Sequence, residues 1–410
     1  MRRLLSLLQR MPARSAPVAL ANVIAFGIQG LFALLLLGLF DPEQVAVYFV
    51  VSQIAFYWHN LALAQGNTAL ITNPTTDIRR ATRRITVQSI LRLLLLLPLG
   101  YLGLHLSALD SPELQLGQLM VWTLLIALCQ MAWYIAQAYL LRNGTAGQSA
   151  LVRVLPPAMA ALIACLGAAW HWSGPVLLLA ALLGFACGSM WLRDAWRKNA
   201  PSQQQAARPR TQRDDRSTLL RSASTLMDGL FYTGLAIAWQ RYYGGEHAGW
   251  LLTLMRLLGF IPSLVHTAWQ QVVLATPDQK QIRSLWVALG SASLVMLTGL
   301  AMAALAQTGW LPQRWQGLQG YAVPAALWQA GACLTMTFSY LGFARGRAVI
   351  FGWLSIGMHS LCLIALLLPL ALQLPLQATQ HFWWVSIVFS SLSLLTSIAL
   401  LKVPARPMPL

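Results

Sequence analysis

Two charges sit where a hydrocarbon environment makes them costly. Asp228 lies within SASTLMDGLFYTGLAIAW and Arg256 within GWLLTLMRLLGFIPSLV, each inside a long apolar run. A charge at the bilayer centre costs about 2.5–3.5 kcal/mol even on insertion scales, so such residues mark a functional site by default. A guanidinium at that depth suits a phosphate or carboxylate, which it grips through bidentate hydrogen bonds. A carboxyl group there suits proton exchange, because its protonation follows the wetness of its surroundings. The two residues also suit each other, as an ion pair that ties their runs together. The sequence leaves both readings open.

Softer polar groups accompany them. His59 and Asn60 in YWHNLALAQGN, Gln53 a little earlier, and Asn22 and Gln29 in the first apolar run either line a cavity or hydrogen-bond between helices. His266 and His359 read as polar packing groups. Arg92 and Arg153 lie near enough to one membrane face to snorkel, or to recruit an anionic substrate from that side.

Helices must position all of these. The chain has 410 residues, of which 57% are hydrophobic and only 10% charged. Soluble domains average about 25% charged residues. Apolar runs of some 20 residues recur throughout, and that length crosses a bilayer as a helix that satisfies its own backbone. The expected fold is all-α and integral to the membrane. Twelve spans are expected at 17–40, 44–71, 85–107, 116–141, 150–171, 174–192, 219–240, 248–274, 284–308, 318–343, 348–372 and 380–401. The start, MRRLLSLLQRMPARSAP, is basic and amphipathic and reads as a cytoplasmic lead-in rather than a cleaved signal.

Charge sets the orientation. With the N-terminus inside, every basic residue except Arg241, Arg256 and Arg314 falls in a cytoplasmic segment or an adjoining helix end, out of 28 in all. Outer turns carry Asp41, Glu43, Asp110, Glu113 and Glu246. This is the positive-inside bias, and it predicts that both termini are cytoplasmic. It also accounts for the net charge of +17 with no nucleic-acid partner.

One connection is long. RDAWRKNAPSQQQAARPRTQRDDRS has no apolar period and reads as a cytoplasmic linker, 193–218, between an N-terminal half, 1–192, and a C-terminal half, 219–410. The halves echo each other. LFDPEQVAVYFVVSQIAF joins spans one and two, and YYGGEHAGWLLTLMRLLGF joins spans seven and eight, each with a Glu at the outer turn and an aromatic soon after. AYLLRNGTAGQSALV and SYLGFARGRAVIFGW form a second, weaker pair. Six spans per half give pseudo-symmetric six-helix bundles around a central cavity.

Enzyme chemistry has little to work with. There are 11 acidic residues, and no GxSxG, HExxH, P-loop or paired carboxylates. No metal or cofactor is implied. Cys129, Cys165, Cys187, Cys333 and Cys362 all lie in apolar runs without ligand spacing, as packing residues do. The glycines of GFACG (184–188) and GFARG (342–346) read as points of close helix approach.

Taken together, the outer hairpins, the basic loop NPTTDIRRATRR and the stretch ALWQAGACLTMTFSYLGFARGRAVIFGWLSI resemble the Wzx-type flippases. That family belongs to the multidrug/oligosaccharidyl-lipid/polysaccharide exporter superfamily. The resemblance runs the length of the chain. It implies a bacterial inner-membrane protein that moves an undecaprenyl-pyrophosphate-linked oligosaccharide by alternating access, in company with membrane lipids and other glycan-assembly proteins. Arg256 matches the family's Arg in helix eight, which implies a pyrophosphate contact. The family's deep basic residues in helices one and two have no counterpart, since Asn22, Gln29 and Gln53 occupy that region. The competing reading is a drug or other small-molecule secondary transporter, of the same superfamily or of major-facilitator type. A membrane glycosyl polymerase fits poorly, because it needs a large outer loop and this chain has none.

Overall fold

The computed structural model describes residues 15–72, 77–109, 114–172, 174–197, 215–275, 281–344 and 348–402. The amphipathic lead-in, most of the expected linker, the Asn73–Thr76 part of the basic loop, Asp110, Glu113, Lys280, Arg345, Arg347 and Arg406 lie outside them. The spans within the described residues are helical.

The first six spans are α1 (Ser15–Leu39), α2 (Pro42–Leu63) with its short continuation α3 (Gly66–Thr72), α4 (Ile78–Leu95) with α5 (Leu97–Ser107), α6 (Leu116–Asn143), α7 (Ala146–Ala169) and α8 (Val176–Ser189). A turn of 3-10 helix and the short α9 (Arg193–Trp196) follow. The remaining six are the two arms of α10 (Asp215–Leu258), continued by α11 (Phe260–Ala275), then α12 (Gln281–Gln307), α13 (Gln319–Ala344), α14 (Ala348–Ala371) and α15 (Ala378–Lys402).

By length and apolar content alone, nine of the described helices can cross a membrane, or ten when the bent pair α4–α5 counts as one. Twelve spans follow once spans seven and eight, one continuous run in that count, are separated at Gly244 and α13 is added. Gly244 has φ 85° and ψ 171°, a conformation that a side chain would resist, and the chain reverses there. α13 is more polar than its neighbours because it carries Gln329, Thr335, Thr337 and Ser339. These bond within the protein: Gln329 donates to the Met255 carbonyl at 3.2 Å, and Thr337 to that of Cys333 at 2.7 Å.

Other breaks have local causes. Span two breaks at Ala64 and Gln65, both with positive φ. Span three bends by 49° between α4 and α5, where Pro98 in the first turn of α5 removes a backbone donor. Pro156 removes another in α7, and Trp133 of α6 donates to the freed Val152 carbonyl at 2.7 Å.

Two compact units emerge, residues 1–35 with 51–213, and residues 36–50 with 214–410. In the first, α7 packs closely on α8. Gly184 lies against the Pro156 carbonyl and Gly188 against Trp133, where a methyl group would be in steric conflict. In the second, the outer turn before α2 packs on the outer turn of α10. A Cβ on Gly249 would collide with the Pro42 carbonyl, so only glycine allows that approach. Arg314 then donates to Asp41 at 2.8 Å and to the Gly38 carbonyl at 2.9 Å, while buried Trp315 donates to the Phe40 carbonyl. The two echoing outer hairpins of the sequence therefore meet, with Glu43 against Gly245.

Candidate functional site

Asp228 occupies the middle of the first arm of α10. Its carboxylate meets Nε2 of His359, from α14, at 3.0 Å. The ring is 8% exposed and the carboxylate 47%. This partner comes from span eleven; the sequence had left open whether Asp228 pairs with Arg256 of span eight. Behind the ring stands an aromatic stack: Phe231 lies parallel to Trp328 at 5.1 Å, and Trp328 stacks on Phe389 at 4.5 Å. Such a wall keeps water from one side of the pair and strengthens its electrostatics.

The ring of His359 is held from both sides. Nδ1 lies 2.8 Å from the Ser355 carbonyl oxygen and 3.4 Å from the Ser355 hydroxyl, and Nε2 faces the carboxylate at 3.0 Å. The imidazole and the carboxyl group are thus placed to share a hydrogen bond across two helices.

The neighbouring titratable groups are few. His266 of α11 and Tyr232, one turn along α10, both feel the Asp228 charge. The Tyr340 hydroxyl of α13 bonds to the His266 ring. Cys362, one turn beyond His359 on α14, lies near Tyr232 as well. The other acidic, basic or histidine residues of α12 and α15 are Arg283, His381 and Lys402, all within a turn or so of the helix ends. No lysine or arginine of α11, α13 or α14 is placed beside the pair.

Arg256 lies on the second arm of α10, about 17 Å of helical rise from the Gly244 turn. It is exposed and acts electrostatically on the Tyr48 hydroxyl of α2. The helix breaks three residues later, at Gly259.

In the first unit, His59 is fully buried. It bonds the Ala55 carbonyl of its own helix at 3.1 Å, stacks on Tyr134 at 5.1 Å and lies beside Gln130. Asn60 donates to the Phe56 carbonyl at 2.9 Å. Gln53 and Gln29 are half-buried. Asn22 accepts a hydrogen bond from Arg153 of α7 at 3.0 Å. The structure thus joins Asn22 to a cation, and leaves His59 and Asn60 bonded to their own helix.

Sequence reasoning read His359 as a packing group and Arg153 as a residue that snorkels or recruits an anionic substrate. A signal for His359 was available, since it is the only ionisable residue besides Cys362 in α14. Among the described residues, no group of three His, Cys, Asp or Glu is placed to hold a metal.

No protein-family profile and no curated protein matches the sequence. Solved structures do match. The MATE multidrug transporter DinF-BH is similar at TM-score 0.59 and 13% identity, over 97% of this chain and 96% of that one. An inward-facing multidrug-resistance MATE transporter of the MOP superfamily is similar at 0.54 and 15%, over 93% and 92%. A MATE in complex with MaL6 is similar at 0.55 and 14%, over 97% and 99%. The chain shares the fold of these membrane transporters along its whole length.

Proposed function

We propose that the chain is a secondary transporter that exports a small organic molecule by alternating access, drawing on the proton gradient. The observation that carries this is the Asp228–His359 pair, a carboxyl group and an imidazole placed to share a hydrogen bond inside a membrane span. Binding and release of a proton there bias two arrangements of α10 against α14, and a ligand that favours one arrangement is moved at the expense of the gradient. Arg256 contacts the substrate in this reading, and Gln53, His59, Asn60, Asn22 and Gln29 contribute to its route. The protein sits in the bacterial inner membrane with both termini cytoplasmic, as its arginines require.

The test is drug tolerance in cells stripped of other exporters. Expression is expected to raise tolerance to ethidium and to other organic dyes. Asp228→Asn and His359→Gln are expected to abolish the gain at equal protein levels. Unchanged tolerance on expression speaks against small-molecule export.

A second reading is export of a lipid-linked oligosaccharide. The balance of deep charge favours it, since Arg153 and Arg256 outnumber a single acid, Asp228, in the spans. Here Arg256→Ala is expected to lower surface glycan and accumulate lipid-linked precursor. Normal glycan at normal protein levels removes the pyrophosphate role of Arg256.

A further inference from the structure

We infer that the basic end of α4, with the short helix α9 docked on it, binds an anionic phospholipid of the surrounding membrane. The inference does not depend on what the protein transports.

α4 keeps its two faces apart. Thr82, Thr86, Ser89 and Leu93 recur every three or four residues and are buried. The opposite face carries Arg80 and Arg84, both exposed, and then Val87, Leu91, Leu94 and Leu95. These four apolar side chains are 46%, 56%, 47% and 78% exposed. At the helical repeat, the six positions fall within about 100° of one another. The stripe from Arg84 to Leu95 rises about 16 Å, close to half of a hydrocarbon core of about 30 Å. It ends where the chain bends by 49° into α5. A row of aliphatic side chains exposed over one leaflet's depth suits acyl chains, and it sets Arg80 and Arg84 at the level of the headgroups. Arg92 lies about 100° round the helix from Leu91, off the stripe.

A second segment completes the basic end. Arg83 Nε donates to the Ala195 carbonyl at 2.7 Å, and its guanidinium carbon lies 5.7 Å from the centre of the Trp196 ring. This holds α9 against α4 and brings Arg193 and Arg197, both exposed, to the same end of the helix. Trp196 is itself exposed, and an indole with one apolar and one polar edge rests well at headgroup level. The charge is one-sided. Residues 77–84 and 193–197 hold Arg79, Arg80, Arg83, Arg84, Arg193 and Arg197 against Asp77 and Asp194. Both acids are engaged: Asp77 accepts the Arg80 backbone N–H at 2.9 Å, and Asp194 lies 4.0 Å from Arg197. A headgroup of net negative charge gains from each arginine near it, whereas a zwitterionic one brings a cation that offsets the gain. The apolar stripe favours a lipid over a soluble anion.

The test uses the full chain in a neutral detergent, titrated with phosphatidylglycerol or with phosphatidylcholine of the same acyl chains. Native mass spectrometry gives the dissociation constant of the first bound lipid. Wild type is expected to bind phosphatidylglycerol about tenfold more tightly than phosphatidylcholine. Arg80→Gln with Arg84→Gln is expected to remove that preference; both residues are exposed, so the pair should melt as wild type does. Arg80→Lys with Arg84→Lys should keep most of the preference, because the headgroup needs the charge more than the fork. Trp196→Ala, which frees Arg83, should weaken phosphatidylglycerol binding about two- to threefold. Arg283→Gln with Lys402→Gln removes exposed charge at the ends of α12 and α15, and is expected to bind as wild type does. Glycerol phosphate, a headgroup without chains, is expected not to compete. The inference is overturned if wild type binds the two lipids equally, if the two glutamine pairs weaken phosphatidylglycerol binding equally, or if glycerol phosphate displaces the lipid.

Discussion

The two units solve the same electrostatic problem in different ways. In the C-terminal one, Asp228 is met by a group that can take the opposite charge, His359, at 3.0 Å. In the N-terminal one, Arg153 is met, among the described residues, by an amide at 3.0 Å. A pair that can share a proton has its partner within the spans, and in the proposed mechanism it is the group that answers the gradient. A cation held by an amide is oriented without being neutralised.

The largest expected effect follows from disabling the complete pair. Asp228→Asn and His359→Gln should each reduce gradient-driven uphill transport about tenfold or more, equivalent to at least about 1.4 kcal/mol. Exchange without a gradient should survive. Equal loss of both modes would assign the pair to architecture. An exchanged pair, Asp228→His with His359→Asp, should recover part of the uphill activity, and failure to recover it would show that each residue has a further, position-specific role.

Stability should separate the two sites by sign. His359→Ala leaves Asp228 without its partner. Because that carboxylate is about half exposed, the loss is on the order of 1 kcal/mol rather than that of a fully buried pair. Arg153→Ala removes a charge that meets no acid among the described residues, so thermal stability without ligand should hold or rise. A lower melting temperature for Arg153→Ala than for His359→Ala would reverse the comparison.

The smallest effect belongs to the outer turn. Arg314 and Asp41 are 37% and 58% exposed, so Asp41→Ala should cost below about 1 kcal/mol, read by thermal denaturation, and leave both sites working. A larger loss would show that the hairpin contact supports the pair at a distance.

The fold was legible because the membrane imposes it. Long apolar runs have no alternative to helix in lipid. What stayed hidden was three-dimensional. The break at Ala64–Gln65 contains no proline that would announce it, whereas the one after Leu258 has Pro262 in the first turn that follows. α13 is more polar than the other spans, and only the structure shows that its glutamine and hydroxyls are satisfied internally. Asp228 and Arg256 stood out by depth, yet the partner of Asp228 lay on a helix 131 residues on, and a histidine in an apolar run looks like packing until its two ring nitrogens are located. For Arg153 the sequence offered snorkelling or recruitment of an anion, and its contact with Asn22, on a helix far away in the chain, was not legible.

The central claim is that the Asp228–His359 pair carries the coupled proton. The full chain in liposomes with an entrapped pH dye and an imposed pH gradient tests it most directly, with protein-free liposomes as baseline. Addition of ethidium or dodecyl phosphate to wild type should discharge the gradient faster than baseline for at least one of the two, and Asp228→Asn and His359→Gln should both abolish that ligand-dependent proton flux. Ligand-dependent flux that persists in both variants, or none in wild type, would contradict the account.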